Sequence, residues 1–145
     1  MTGNHRGFSL IELLVVLLII GTLAGIAIPN FQRALLRARA VDAMSDLNVV
    51  RVALENYQAD ENAWPPDQNR GTIPPGLDTY LPTGFDFNRE DWTLDYENFA
   101  SGAGYVGVSI RTTDEDLGLM LFELLGNNTF QSGSDGYTWV IAWVD

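Results

Sequence analysis

The sequence has no cysteine and no lysine, and its one histidine is His5. Without cysteine the chain can form no disulfide. Residues 8–145 also lack histidine, which excludes Ser-His and Cys-His nucleophile pairs, Schiff bases and typical zinc sites from that part of the chain. Acidic residues are so numerous that a pair of carboxylates is no sign of glycoside chemistry. We predict that the protein is not an enzyme.

Positive charge is also scarce. All eight basic residues are arginine, against 19 acidic residues, and the net charge is −11. From Trp64 onward, 13 acidic residues face only Arg70, Arg89 and Arg111. Binding to phosphate backbones needs clustered basic residues, so we expect no nucleic-acid partner. We interpret the acidic region as a solvated surface.

One long apolar run stands out, from Phe8 to Ile28. About 20 such residues form a helix long enough to cross the hydrocarbon core of a membrane. Glu12 interrupts the run, and a charge at the bilayer centre costs at least ~2.5–3.5 kcal/mol. Glu12 is therefore a functional candidate that needs a partner. A secretory signal peptide cut near Ala27 and a plain membrane anchor remain alternatives.

The helical pattern continues beyond the apolar run. Asn30–Tyr57 contains no Gly or Pro, and its apolar side chains form a stripe. The stripe comprises Leu47, Val50, Leu54 and Tyr57, with Phe31, Leu35 and Ala38 extending it upstream. Pro29 should kink the helix, and Gly21 and Gly25 weaken the turns before it. We assign residues 8–29 to a membrane-spanning half of the helix and residues 30–62 to an amphipathic half.

The rest of the chain predicts a loop followed by a small sheet. Residues 63–91 are rich in Pro and Gly but offer packing side chains, namely Trp64, Ile73, Leu77, Tyr80 and Leu81. Residues 92–145 form the sheet region, with strands predicted at Trp92–Tyr96, Tyr105–Arg111 and Tyr137–Val144. The pattern predicts an α+β fold with three or four antiparallel strands.

A short helix is predicted over residues 113–125. Thr112 and Glu115 would form its capping box, and Gly126 would end it. We place Tyr137, Trp139 and Trp143 in the core or on the sheet face, with an adhesive patch as the alternative.

The stretch Arg6-Gly7-Phe8-Ser9-Leu10-Ile11-Glu12-Leu13-Leu14-Val15-Val16 resembles the N-terminal signature of type IV pilins and type II secretion pseudopilins. The match lies at Gly7, Phe8 and Glu12, in the apolar run, and at Pro29. The resemblance implies a pilin-like α+β fold with a leader at residues 1–7. It also implies that a prepilin peptidase cuts between Gly7 and Phe8 and that Phe8 is N-methylated.

The same resemblance implies that the subunit polymerises. The precursor would cross the bacterial inner membrane once, with a periplasmic C-terminal domain. An assembly platform and its ATPase would then extract it from lipid into a helical homopolymer, in the periplasm or outside the cell. Glu12 would pair with the Phe8 ammonium of a neighbouring copy, and Gly21, Gly25 and Pro29 would let the helix partly unwind.

The resemblance does not distinguish a type IV pilus from a type II secretion pseudopilus. The absence of cysteine favours a pseudopilin, because many major pilins close their C-terminal region with a disulfide. An alternative from another class is a membrane-tethered, monomeric periplasmic binding module.

Calcium is the one cofactor that the sequence brings into question. Some major pseudopilins hold Ca²⁺ in a C-terminal loop, and oxygen ligands occur here in one region, at Asn127, Asn128, Ser132, Ser134 and Asp135. Of these, Asn128, Ser134 and Asp135 are the main candidates. The family pattern is not clearly matched, so we expect a polar turn and no cofactor.

Overall fold

The computed structural model describes residues 8–133 and 136–144. The chain divides into two compact units, one ending at Leu35 and the other beginning at Leu36. Helix α1 (Leu10–Glu61) contributes to both of them. The remaining elements are β1 (Thr93–Asn98), β2 (Tyr105–Arg111), α2 (Glu115–Leu125), β3 (Thr129–Ser132) and β4 (Gly136–Trp143), with 3₁₀ turns at Leu77–Tyr80 and Gly126–Asn128.

Local chemistry explains both ends of α1. Ser9 precedes the helix, and its carbonyl accepts the first helical hydrogen bond, from the Leu13 N–H at 3.2 Å. Pro29 lies inside the helix, which continues on both sides of it. Asn62 follows the last helical residue with φ of 51°, a left-handed conformation that commonly ends helices.

The four strands form one antiparallel sheet in the order β1-β2-β4-β3. Leu94 pairs with Ile110, and Ile110 pairs with Tyr137, so these side chains share one face of the sheet. This face belongs to a single core with the second half of α1, through Ala40, Ala43, Leu47, Val50, Ala53 and Leu54. The predicted α+β fold, a long helix with a small antiparallel sheet, is confirmed.

The segment between α1 and β1 is packed against this core. Leu77, Leu81 and Phe87 are buried, and Trp64 and Ile73 are partly buried against the same core. The Tyr96 hydroxyl donates a hydrogen bond to the Pro65 carbonyl at 3.1 Å. Burial of this hydroxyl is the main reason that the pKa of Tyr96 is raised.

Two predictions about the helices were wrong. Phe31, Leu35 and Ala38 do not extend the buried stripe, because they are exposed and the buried face begins at Ala40. The cap of α2 is Asp114, whose carboxylate accepts the Leu117 N–H at 3.1 Å. Thr112 instead accepts the Asp114 N–H and donates to the Asp91 carbonyl.

The strand predictions were partly right. β2 has the predicted bounds, whereas β1 begins one residue later and continues through Asn98, which pairs with Val106. β3 was missed, because its four residues lie in a stretch interpreted as a polar turn. Tyr137 is buried, but Trp143 is 72% exposed and does not belong to the core.

Candidate assembly site on the first helix

The apolar half of α1 is not covered by its own chain. An 18-residue stretch of this helix has a mean hydropathy of 2.7 and none of it is buried. Leu10, Leu17 and Ile26 are each more than half exposed. Apolar surface of this extent is normally removed from water by lipid or by another protein, so this segment is the first part of the candidate site.

Glu12 lies in the first turn of α1, the third residue of the helix. Its Oε2 atom accepts a hydrogen bond from the Ser9 backbone N–H at 2.9 Å. A carboxylate in the first turn is also favoured by the helix dipole. Glu12 therefore has local stabilisation, and it lies near one end of the apolar run, where a charge costs less than at the bilayer centre.

The Ser9–Glu12 contact is half of a capping box. The sequence signal for it, Ser-x-x-Glu immediately before an apolar run, was present, but Glu12 was interpreted only as a partner for another subunit. Phe8, Ile11, Val15 and Val16 line an open groove beside this carboxylate. Glu12, the one acidic residue of the first unit, therefore lies among apolar side chains.

The other predicted site residues fall in different places. Phe8 precedes α1 and is 79% exposed, whereas Gly7 and the rest of the predicted leader lie outside the described residues. Gly21 and Gly25 occupy regular helix, and a Cβ on either would meet nothing within 4 Å. Asn30, next to Pro29, donates its side-chain N–H to the Ile26 carbonyl at 3.1 Å.

The calcium candidates are only partly described. Asn128 ends the 3₁₀ turn that precedes β3, and Ser134 and Asp135 lie outside the described residues. Among the residues that the structure covers, no three histidine, cysteine or acidic side chains are grouped as a metal site requires.

Ion pairs join separate segments of the second unit. Arg39 of α1 donates to Asp91 at 2.8 Å and to Asp114 at 2.9 Å. These two hydrogen bonds raise the pKa of Arg39, that to Asp91 most strongly. The Leu117 N–H, and secondarily Arg39, lowers the pKa of Asp114. Arg39 thus ties α1 to the cap of α2.

A second charged cluster lies on β1 and β2. The Arg111 guanidinium approaches Asp95 at 3.6 Å and Glu97 at 3.5 Å. Burial, together with the nearby Glu97, raises the pKa of Asp95 to about 6, although Arg111 acts in the opposite direction. The cluster is therefore a mostly buried group of opposite charges.

A known protein family matches the N-terminal part of the chain. Residues 2–28 match the family model described as the prokaryotic N-terminal methylation motif. This range contains the Gly7–Phe8 junction, Glu12 and nearly all of the exposed apolar segment. No solved structure matches the chain.

Similar proteins extend the likeness beyond this motif. The chain is 26% identical to the type II secretion system core protein G of Dickeya chrysanthemi, over 94% of this chain and 97% of that protein. It is 32% identical to core protein G of Escherichia coli K12, over 66% of this chain and 72% of that protein. It is also 32% identical to the type IV major fimbrial protein FimA of Dichelobacter nodosus, over 77% of this chain and 64% of that protein.

These matches agree with the fold and with the uncovered apolar helix. A monomeric binding module is not favoured, since the relatives are a type II secretion core protein and a type IV fimbrial protein. The chain belongs to the superfamily of type IV pilins and type II secretion pseudopilins, and it is a structural subunit of that kind.

Proposed function

We propose that this subunit builds the pseudopilus of a type II secretion system. The observation that supports this choice over a type IV pilus is the extent of similarity. The likeness to core protein G of Dickeya chrysanthemi spans nearly the full length of both chains, whereas that to FimA covers 64% of the fimbrial protein. The absence of cysteine agrees with this assignment.

We further propose the processing route that the motif implies. A prepilin peptidase cuts between Gly7 and Phe8, and the new amino group of Phe8 is methylated. The precursor lies in the inner membrane with its C-terminal domain in the periplasm, until an assembly platform and ATPase extract it. Mass spectrometry of the mature N-terminus tests this route, since a chain beginning at Phe8 supports it and one beginning at Ile28 indicates a signal peptide.

In this proposal the exposed apolar half of α1 exchanges lipid for neighbouring copies. Both environments are apolar, so the exchange alone gives little specificity for register. Glu12 would supply that specificity by pairing with the Phe8 ammonium of a neighbour, because a buried charge is costly unless its partner is in place. Gly21, Gly25 and Pro29 would give the segment the freedom to unwind locally in the filament.

Substitutions at Glu12 separate this role from the local one. Glutamine removes the charge but keeps an oxygen that can accept the Ser9 N–H, whereas leucine removes both. If Glu12 pairs with an ammonium group, Glu12→Gln and Glu12→Leu should both abolish filaments while membrane insertion persists. If the helix cap is what matters, Glu12→Gln should assemble normally and only Glu12→Leu should fail.

Electron microscopy of sheared surface material, with an assay for secreted proteins, tests the choice of machine. A pseudopilus subunit should yield no long surface fibres at native expression, and its deletion should block secretion. Long fibres with intact secretion would assign the chain to a pilus.

We propose that the subunit works without catalysis and without a cofactor, because polymerisation of the processed subunit requires only noncovalent contacts between copies. A thermal unfolding midpoint that is the same in calcium and in chelator is the expected result. A clear rise with calcium would instead assign an ion site and direct attention to Asn128, Ser134 and Asp135.

A further inference from the structure

Two arginines differ from the other described arginines of this chain. Arg33 and Arg37 are exposed, and among the described residues neither has a carboxylate within ion-pair distance. Arg39 and Arg89 are paired with aspartates, and Arg51 is paired with Glu55. The chain has an acidic excess of 11, yet no carboxylate of the described residues pairs with these two cations, which leaves both guanidinium groups available to an external anion.

Their position along α1 is close to the end of the apolar run. Arg33 lies five residues after Ile28, about 7.5 Å along a helix axis, and Arg37 follows it by four residues in the sequence. The polar layer on each side of a bilayer is about 5–7 Å thick. Helical side chains tilt toward the N-terminus, so long arginine side chains here reach back toward that layer.

The neighbouring side chains agree with an interfacial position. Phe31 is 70% exposed and Leu35 is 53% exposed, so the helix carries both apolar and cationic groups just after the span. No acidic residue occurs between Glu12 and Asp42. The sequence immediately around Arg33 and Arg37 therefore supplies no carboxylate to neutralise them.

We propose that Arg33 and Arg37 bind phosphate groups of anionic phospholipid headgroups. This inference rests on the membrane state in the proposed function but not on filament formation. Guanidinium groups match phosphate oxygens well, and basic residues beside a span are attracted to anionic lipid. The contacts fix the depth of the helix, and extraction of the subunit from the membrane has to break them.

The proposal also accounts for an unfavourable feature of the sequence. Positive residues usually accumulate on the cytoplasmic side of a span, but Arg33, Arg37 and Arg39 follow this span and only Arg6 precedes it. Arg39 is paired with Asp91 and Asp114. Lipid phosphate would compensate the two cations that pair with no carboxylate of residues 8–133 and 136–144.

The test uses the full-length chain reconstituted in phosphatidylcholine bilayers. Spin-labelled phosphatidylglycerol and phosphatidylcholine report which lipid is held at the protein surface. The wild-type chain should prefer phosphatidylglycerol, and Arg33→Gln with Arg37→Gln should lower that preference about fivefold or more. High salt should lower the wild-type preference in the same direction.

Arg51→Gln is the matched control, since Arg51 is bonded to Glu55 at 3.0 Å and lies far beyond the span. It should leave lipid preference unchanged. Absence of preference in the wild type, or full preference in the double variant, would overturn the proposal. If the wild type shows no lipid preference, and the double variant loses cross-links that the wild type forms between copies, the arginines bind carboxylates of a second copy. Filament assembly is scored separately in cells, so its failure would count against the proposed function and leave the lipid result standing.

Discussion

The first half of α1 exposes its apolar side chains, whereas the second half buries them. Leu17 of the first half is 61% exposed, and Leu54 of the second is fully buried. The two halves belong to one helix and differ in pattern. The first is apolar on every side, which is typical of a segment covered by lipid or protein, and the second has a single buried stripe of small and large residues. Continuous helix therefore connects a segment stabilised by its surroundings to one stabilised by its own core.

The most direct test of this difference is to replace one leucine by alanine in each half. Leu54→Ala should lower the free energy of unfolding of the globular unit by about 2–5 kcal/mol, because it removes buried apolar contacts and leaves a cavity. Leu17→Ala should leave that free energy unchanged, because Leu17 contacts no core. Denaturant unfolding in detergent, followed by the fluorescence of the globular-unit tryptophans, measures both. Equal losses would show that the apolar half contributes to the fold.

Two glycine-to-alanine changes should have smaller effects, and their signs should be opposite in the two halves. A Cβ on Gly118 would lie 2.7 Å from the Tyr137 ring, so Gly118→Ala should destabilise the globular unit by about 1–3 kcal/mol through overpacking. A Cβ on Gly25 would meet nothing within 4 Å. Gly25→Ala should favour the helix by up to ~1 kcal/mol, and helix content by circular dichroism in detergent should not fall.

Gly25→Ala also tests the proposed unwinding. A variant that inserts into the membrane normally but assembles poorly would support a need for local flexibility at Gly25. Normal filaments would contradict that role for this residue.

Asp95 of the globular unit contrasts with Glu12, the acidic residue of the apolar half. Because the folded-state pKa of Asp95 is raised from 3.8 to about 6, the folded chain binds more protons than the unfolded chain between these values. Stability should therefore fall as pH rises from about 4 through 6. Asp95→Asn should remove this slope and increase stability at pH 7 by on the order of 1–2 kcal/mol.

Asp86→Asn is the control for the sign. The Asn88 N–H lowers the pKa of Asp86, so its contribution is present above the unfolded pKa and is lost as pH falls. The two asparagine variants should shift the thermal unfolding midpoint in opposite directions at pH 7. Destabilisation by Asp95→Asn would mean that the pairing with Arg111 outweighs the cost of burial.

The sequence predicted those features that depend on local pattern. The bounds of β2 follow from strict alternation, and the long helix follows from its composition. Alternation of apolar and polar residues does not predict the end of β1. Asn98 belongs to the strand because it pairs with Val106. β3 has only four residues and exists because it pairs with β4, so its signal lies in the partner strand.

At the candidate site, the sequence identified Glu12 but not its local contact. The cost of a charge in the membrane points to a partner in another subunit. At the helix terminus, the hydrogen bond from the Ser9 N–H offsets part of that cost. Phe31 and Leu35 were assigned to the buried stripe because periodicity cannot tell apolar side chains that face a core from those that face an interface. Only the burial of the folded chain separates them.

The position of β4 between β2 and β3 has a consequence for the order of events during synthesis. The last strand along the chain is an inner strand, so β3 has no pairing partner until residues 136–143 have emerged. Ribosomes add about 5–20 residues per second, and roughly 115 residues separate Ile28 from Trp143. The apolar segment is therefore available for insertion on the order of ten seconds before the sheet can be completed. In the proposed membrane route, anchoring would therefore come before the sheet is complete.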